Sequence, residues 1–123
     1  MLNGLKYEII AVRGNCEAEV DQIVLDFPVM ADYALLFLNG RTVFVTHGHI
    51  YNNDMPPKLK KGDILLHGHT HIQAIEEING YVYMNPGSVS IPKNGNKNSY
   101  MIFSDNKFTI KDFEENEIMS YTI

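Results

Sequence analysis

Tryptophan is absent and cysteine occurs once, at Cys16, so no intrachain disulfide is available. That fits a reducing compartment, and a cytoplasmic location is expected. Positive charge is scarce: 10 Lys and Arg stand against 15 Asp and Glu, a formal charge of -5. An anionic membrane or a nucleic-acid backbone is thereby disfavoured as the main partner, and no strong nucleic-acid patch is expected. No apolar run approaches the ~20 residues of a membrane-spanning helix. Met1 to Lys6 lacks the charged and long apolar regions of a secretory leader. Repeats, low-complexity tracts and linkers are also missing, and 123 residues suit one domain with its own core.

What is present points to an α/β fold with a β-rich C-terminal half and little helix. Lys6 to Val12 reads as a strand and Arg13 to Glu17 as a turn. Glu17 to Leu25 reads as a short helix with Val20, Ile23 and Val24 on one side and Pro28 beyond its end. Tyr33 to Leu38 and Arg41 to Thr46 flank Asn39-Gly40, and Gln73 to Ile78 and Tyr81 to Met84 flank Asn79-Gly80. Both are hairpins joined by the preferred two-residue turn. Asp63 to His67 reads as a strand, and a helical turn is expected around Lys58 to Lys61. Ser99 to Ser104, Lys107 to Asp112 and Ile118 to Ile123 complete the strands.

All five histidines lie in two clusters, Thr46-His47-Gly48-His49 and His67-Gly68-His69-Thr70-His71. Each cluster follows a short apolar run, so two strands deliver them to a shared edge. In an extended chain His67, His69 and His71 point to one face, with alternate residues ~7 Å apart. Paired metals in a dinuclear hydrolase lie ~3.5–4 Å apart, so a bend at Gly68 would bring His69 and His71 to neighbouring metals. Imidazole suits zinc, manganese, iron or nickel, and spacing does not choose among them.

Gly14-Asn15, Thr46-His47-Gly48-His49, Gly68-His69-Thr70-His71 and Asn85-Pro86-Gly87-Ser88 occur in that order. Together they resemble the calcineurin-like metallophosphoesterases, and among them the small bacterial and archaeal phosphodiesterases of the YfcE type. The resemblance runs from about Lys6 to the C-terminus. It implies a metallophosphoesterase β-sandwich of mixed sheets flanked by helices. It further implies a metal-dependent phosphodiesterase that cleaves small phosphodiester substrates through metal-activated water.

The resemblance also assigns roles. Asn15 gives its side-chain oxygen to the second metal and lies beside substrate. His47 and His69 bind that metal through ring nitrogens, and His71 binds the first. His49 stands either behind the metal ligands or near the substrate phosphate, and is the candidate catalytic residue. Asn85 to Ser88 shape the wall. Cys16 occupies the place where related enzymes often carry a proton-donating histidine; a thiol suits that task poorly, so it reads as a small packed residue. Glu17 reads as a carboxylate in the helix's first turn. Manganese is the first choice of metal, with nickel, zinc, iron and magnesium as alternatives.

The family's pattern opens with a strand ending in Asp-x-His and adds a second, metal-bridging aspartate. Neither motif is in this sequence, so residues 1–123 are expected to form an incomplete, N-terminally truncated version of the domain. Two metals occupy the full family site; one or none is expected here. Asp54 and Asp63 are the possible substitutes, with Asp63 the better fit to a turn. The open N-terminal edge is expected to be covered by self-association or by a partner chain. The alternatives to an enzyme are an inactive scaffold of the same fold, as in the retromer's small subunit, and a mononuclear metal-binding protein.

Overall fold

The computed structural model describes residues 1–123, and in it eight strands form two sheets. The first sheet contains β1 (Tyr33–Leu38), β2 (Arg41–Thr46), β3 (Ile64–His67), β4 (Ala74–Ile78) and β5 (Tyr81–Asn85), in the order β1-β2-β3-β5-β4. Its central strands β2, β3 and β5 run parallel, and β1 and β4 lie antiparallel at the edges. β6 (Ser99–Ser104), β7 (Lys107–Asp112) and β8 (Glu117–Thr122) form an antiparallel second sheet.

The three tight hairpins follow from local chemistry. Asn39-Gly40, Asn79-Gly80 and Asp105-Asn106 all adopt positive φ, as a two-residue turn matched to strand twist requires. β2 and β3 are short β-branched and apolar runs buried on both faces, the signature of central parallel strands. Val43, Ile64, Val82 and Met84 of the first sheet meet Phe108 of the second, and this cluster is the sandwich core. Phe44, Leu65, Tyr81 and Tyr83 form a second cluster on the opposite face, beneath Tyr51 and Leu59. The architecture is the strand-dominated α/β sandwich anticipated from the sequence.

The N-terminal elements differ from expectation. Lys6 to Val12 is not a strand: Leu2–Glu8 forms a 3-10 helix, and Ile9 onward is extended without a ladder. Strand assignment needs a ladder of backbone bonds to a neighbour, and here a single one forms, from Arg13 N–H to the Ala31 carbonyl at 2.7 Å. The helix α1 spans Glu19–Val24, two residues later than predicted, because the Asp21 carboxylate accepts the Ala18 N–H and fixes the first turn there. Six residues make little helix without packing. The Gln22 side chain supplies part of the missing support, donating to the Phe27 carbonyl and accepting from Val29 N–H. The Val20, Ile23 and Val24 face lies exposed. No helix forms at Lys58 to Lys61; the Asp63 carboxylate accepts the Lys60 N–H and makes a turn instead. No helix is long and apolar enough to cross a membrane.

Candidate metal centre

The site is built at the carboxyl ends of the parallel strands. Thr46 pairs with His67 across β2 and β3, and Gly68 N–H continues the ladder to the His47 carbonyl at 2.9 Å. The two histidine clusters therefore leave the sheet side by side. Gly48 makes their approach possible. It sits at φ +114, and a Cβ there would meet His67 Nδ1 at 2.7 Å and the His69 Cβ at 3.1 Å.

Three donor atoms converge beyond this edge. His47 Nε2 lies 2.8 Å from Asn15 Oδ1 and 3.2 Å from His69 Nδ1. One ring nitrogen has a single in-plane proton or lone pair, so it satisfies two such neighbours poorly. Ligands on bonds of about 2.1 Å around one ion lie about 3.0–3.4 Å apart; the His47–His69 pair falls in that range, and the Asn15–His47 pair, at 2.8 Å, lies slightly inside it. No three histidine, cysteine or carboxylate side chains gather into a metal-binding group. Here the third donor is the Asn15 carboxamide.

The electrostatics suit a ligand role. Burial holds the His47 pKa below its ordinary value; nearby His69 and His49 lower it further, and Glu17 opposes them. His47 thus keeps its lone pair near neutral pH, as metal binding requires. His49 lies with its ring centroid 5.3 Å from that of His47 and 6.5 Å from that of His69. Both of its ring nitrogens are buried without a hydrogen-bond partner. Two unpaired, solvent-inaccessible imidazole nitrogens thus lie beside the His47–His69 pair.

His71 stands outside the three-donor set. Its Nδ1 donates to the Ile91 carbonyl at 2.8 Å, which leaves Nε2 with the lone pair. The extended His67-His69-His71 ladder does not form, because His69 (φ 67) and His71 (φ 60) are both left-handed. His67 is a buried strand-end residue stacked on Tyr83 at 4.6 Å, with Nδ1 against the Gly68 carbonyl. Burial lowers its pKa, and the bond to Gly68 opposes that shift.

Two neighbours depart from their expected roles. Cys16 is an exposed free thiol, not a packed residue, because the turn that carries Asn15 lies on the surface. Glu17 precedes α1 and folds back over Gly14. Its charge reaches His47, a contact that only the folded turn creates. Asp63 is engaged in its turn, and Asp54 lies in an exposed loop whose N–H binds Asn52 Oδ1. Asn85, fully buried at the end of β5, binds the Gly68 carbonyl and the Thr70 hydroxyl. Its sequence signal was the Asn85-Pro86-Gly87-Ser88 loop, which gave no hint of the side chain's targets.

Residues 1–107 match the calcineurin-like phosphoesterase superfamily domain. The chain is 39% identical over 119 residues to Escherichia coli phosphodiesterase YfcE, covering 97% of this chain and 65% of that protein. It therefore spans just under two thirds of the length of that curated relative. The solved structure of the E. coli phosphoesterase superposes with a TM-score of 0.95 at 38% identity, over 99% of this chain and 68% of that one. Vacuolar protein sorting 29 from Cryptosporidium parvum shares the fold alone, at a TM-score of 0.52 and 18% identity over 90% of this chain and 79% of that one. The ordered motifs and the two-sheet sandwich agree with these matches: the chain belongs to the calcineurin-like phosphoesterase superfamily, in its small bacterial and archaeal branch.

Proposed function

We propose that residues 1–123 form a metallophosphoesterase-like domain whose activity is metal-dependent hydrolysis of small phosphodiesters. The observation that carries this reading is the placement of Asn15 Oδ1 and His69 Nδ1 at 2.8 and 3.2 Å from the same nitrogen, His47 Nε2. These three hold one divalent cation, with manganese the first choice. His71 offers Nε2 toward a second position. A bound divalent cation supplies positive charge to phosphoryl oxygens and acidifies water. His49, whose buried ring nitrogens have no partner and whose ring lies 5.3 Å from that of His47, is the residue to donate a hydrogen bond or a proton to the phosphate once the site rearranges around it. Asn15 lies at the same mouth, exposed to an incoming diester. The name of the E. coli relative, a phosphodiesterase, supports the reaction class.

Ile10, Val20, Ile23 and Val24 leave an apolar N-terminal face open, with Ile23 80% exposed. That supports self-association or a partner chain as its cover. The position of His71 outside the donor set favours a mononuclear centre as the second reading.

The test is manganese-dependent hydrolysis of bis-p-nitrophenyl phosphate by the purified chain, with metal content measured per chain. Turnover that disappears in His69→Ala supports the enzyme. One metal without turnover supports the mononuclear protein, and no bound metal defeats both.

A further inference from the structure

We infer that Asn85 is the positioning residue of the metal centre: its side-chain amide locks the tight turn that presents His69 to Asn15 and His47. The inference rests on the metal-site reading given above.

Gly68-His69-Thr70 is a γ-turn. Thr70 N–H donates to the Gly68 carbonyl at 2.8 Å, and the central residue, His69, has φ 67. The positive-φ form of this turn is rare and strained. A second left-handed histidine, His71, follows one residue later. Such backbone persists only where its surroundings over-determine it.

Asn85 supplies that constraint from a position with no solvent exposure. Its Nδ2 lies 3.1 Å from the Gly68 carbonyl and 2.9 Å from Thr70 Oγ1. These two anchors flank His69 on either side. The same Nδ2 lies 3.1 Å from Tyr83 Oη, and Oδ1 accepts Gly87 N–H at 2.9 Å. The amide orientation is fixed by these partners, because only the NH2 can face a carbonyl and only the oxygen can face an N–H. A carboxylate of the same shape would keep the Gly87 bond and set an oxygen against the Gly68 carbonyl. A buried, fully engaged amide at the end of a core strand thus transfers the rigidity of β5 to a strained loop.

The experiment compares wild-type chain with Asn85→Asp and Thr70→Val. Thr70→Val removes one anchor and little volume. In the metal-free protein, imidazole nitrogen NMR reads the tautomer and shift of His69, and amide hydrogen exchange reads the Thr70 N–H. Manganese binding is measured separately by calorimetry. We expect shifted His69 signals, faster Thr70 exchange and manganese affinity lower by about 10–100-fold in Asn85→Asp, the range for residues that orient ligands. Thr70→Val moves the same observables less, and decides the matter if Asn85→Asp does not fold. A lower melting temperature with unchanged His69 signals and Thr70 exchange overturns the inference. If the wild-type chain takes up no manganese, the metal reading falls, and the metal-free spectra still decide the role of Asn85.

Discussion

Thr46 and His67 sit opposite each other on adjacent parallel strands, and this pairing sets where the ligands emerge. One residue further along each strand, the chain turns into the histidine loops. In a parallel pair a shift of one residue sends alternate side chains to the other face. The fully buried Ile64 and Leu65 and the buried Val43 and Phe44 specify this register from both sides of the sheet.

Gly48 is the position where the two loops touch, and Gly48→Ala should both strain and displace them. Gly40→Ala provides the comparison, since Gly40 also has positive φ but has nothing within 4 Å of a new Cβ. Strain alone costs more than about 1 kcal/mol where a glycine conformation is replaced by alanine. Urea unfolding should show the larger loss in Gly48→Ala. Manganese binding should weaken only there. Equal losses at the two positions would remove the argument from loop contact.

The hairpins, the strands after Tyr33 and the convergence of the two histidine clusters were legible in the sequence. Each depends on short-range signals: Asn-Gly turns, β-branched runs, and ligands placed directly after strands. Lys6 to Val12 misled because its composition suits a strand, whereas a strand also needs a neighbour. The Val20, Ile23 and Val24 stripe has helical spacing, yet the helix buries none of them. A bend was expected at Gly68, and the left-handed residues that make it are His69 and His71 themselves. The Asn85 contacts cross from β5 to the β3 exit loop, so no local pattern encodes them.

The edge strand β1 carries Tyr33, Leu35 and Phe37 on an exposed face, with Phe37 74% exposed. An apolar face beside an unpaired strand edge favours association between chains. Phe37→Lys should shift sedimentation at high concentration toward smaller species. Its effect on unfolding free energy should stay within about 0.5 kcal/mol, as for an ordinary surface change. Unchanged association would exclude this face as the contact.

Asp112 anchors the end of the β7–β8 hairpin. Its carboxylate accepts N–H bonds from Asn116 and Glu114, and the Asn116 side-chain amide adds a third. The Asn116 backbone bond is the main cause that holds its pKa below the ordinary carboxylate range; burial opposes it. A depressed folded-state pKa means that the unfolded chain takes up its proton first. The contribution is therefore complete above about pH 3.9 and lost as pH falls through the folded value. Asp112→Asn should lower stability at neutral pH and flatten the acid limb of stability against pH, measured by urea unfolding. An acid limb as steep as wild type would assign the loss to other carboxylates.

Asn15 distinguishes ligand geometry from simple proximity. A carboxamide oxygen binds a divalent cation without contributing charge, so Asn15→Asp adds Coulomb attraction at the same distance. It keeps an oxygen where Oδ1 meets His47 Nε2 at 2.8 Å. Asn15→Ala removes the donor altogether. Calorimetry with manganese should rank affinity as Asn15→Asp, then wild type, then Asn15→Ala, with the alanine variant weaker by at least about tenfold, the lower end for a lost orienting contact. In the metal-free protein the aspartate would also favour a charged His47, so that histidine should titrate at higher pH than in wild type. Asn15→Ala that binds manganese as tightly as wild type would place the cation elsewhere. An aspartate variant that raises the His47 titration without strengthening binding would show contact between the pair and no shared metal.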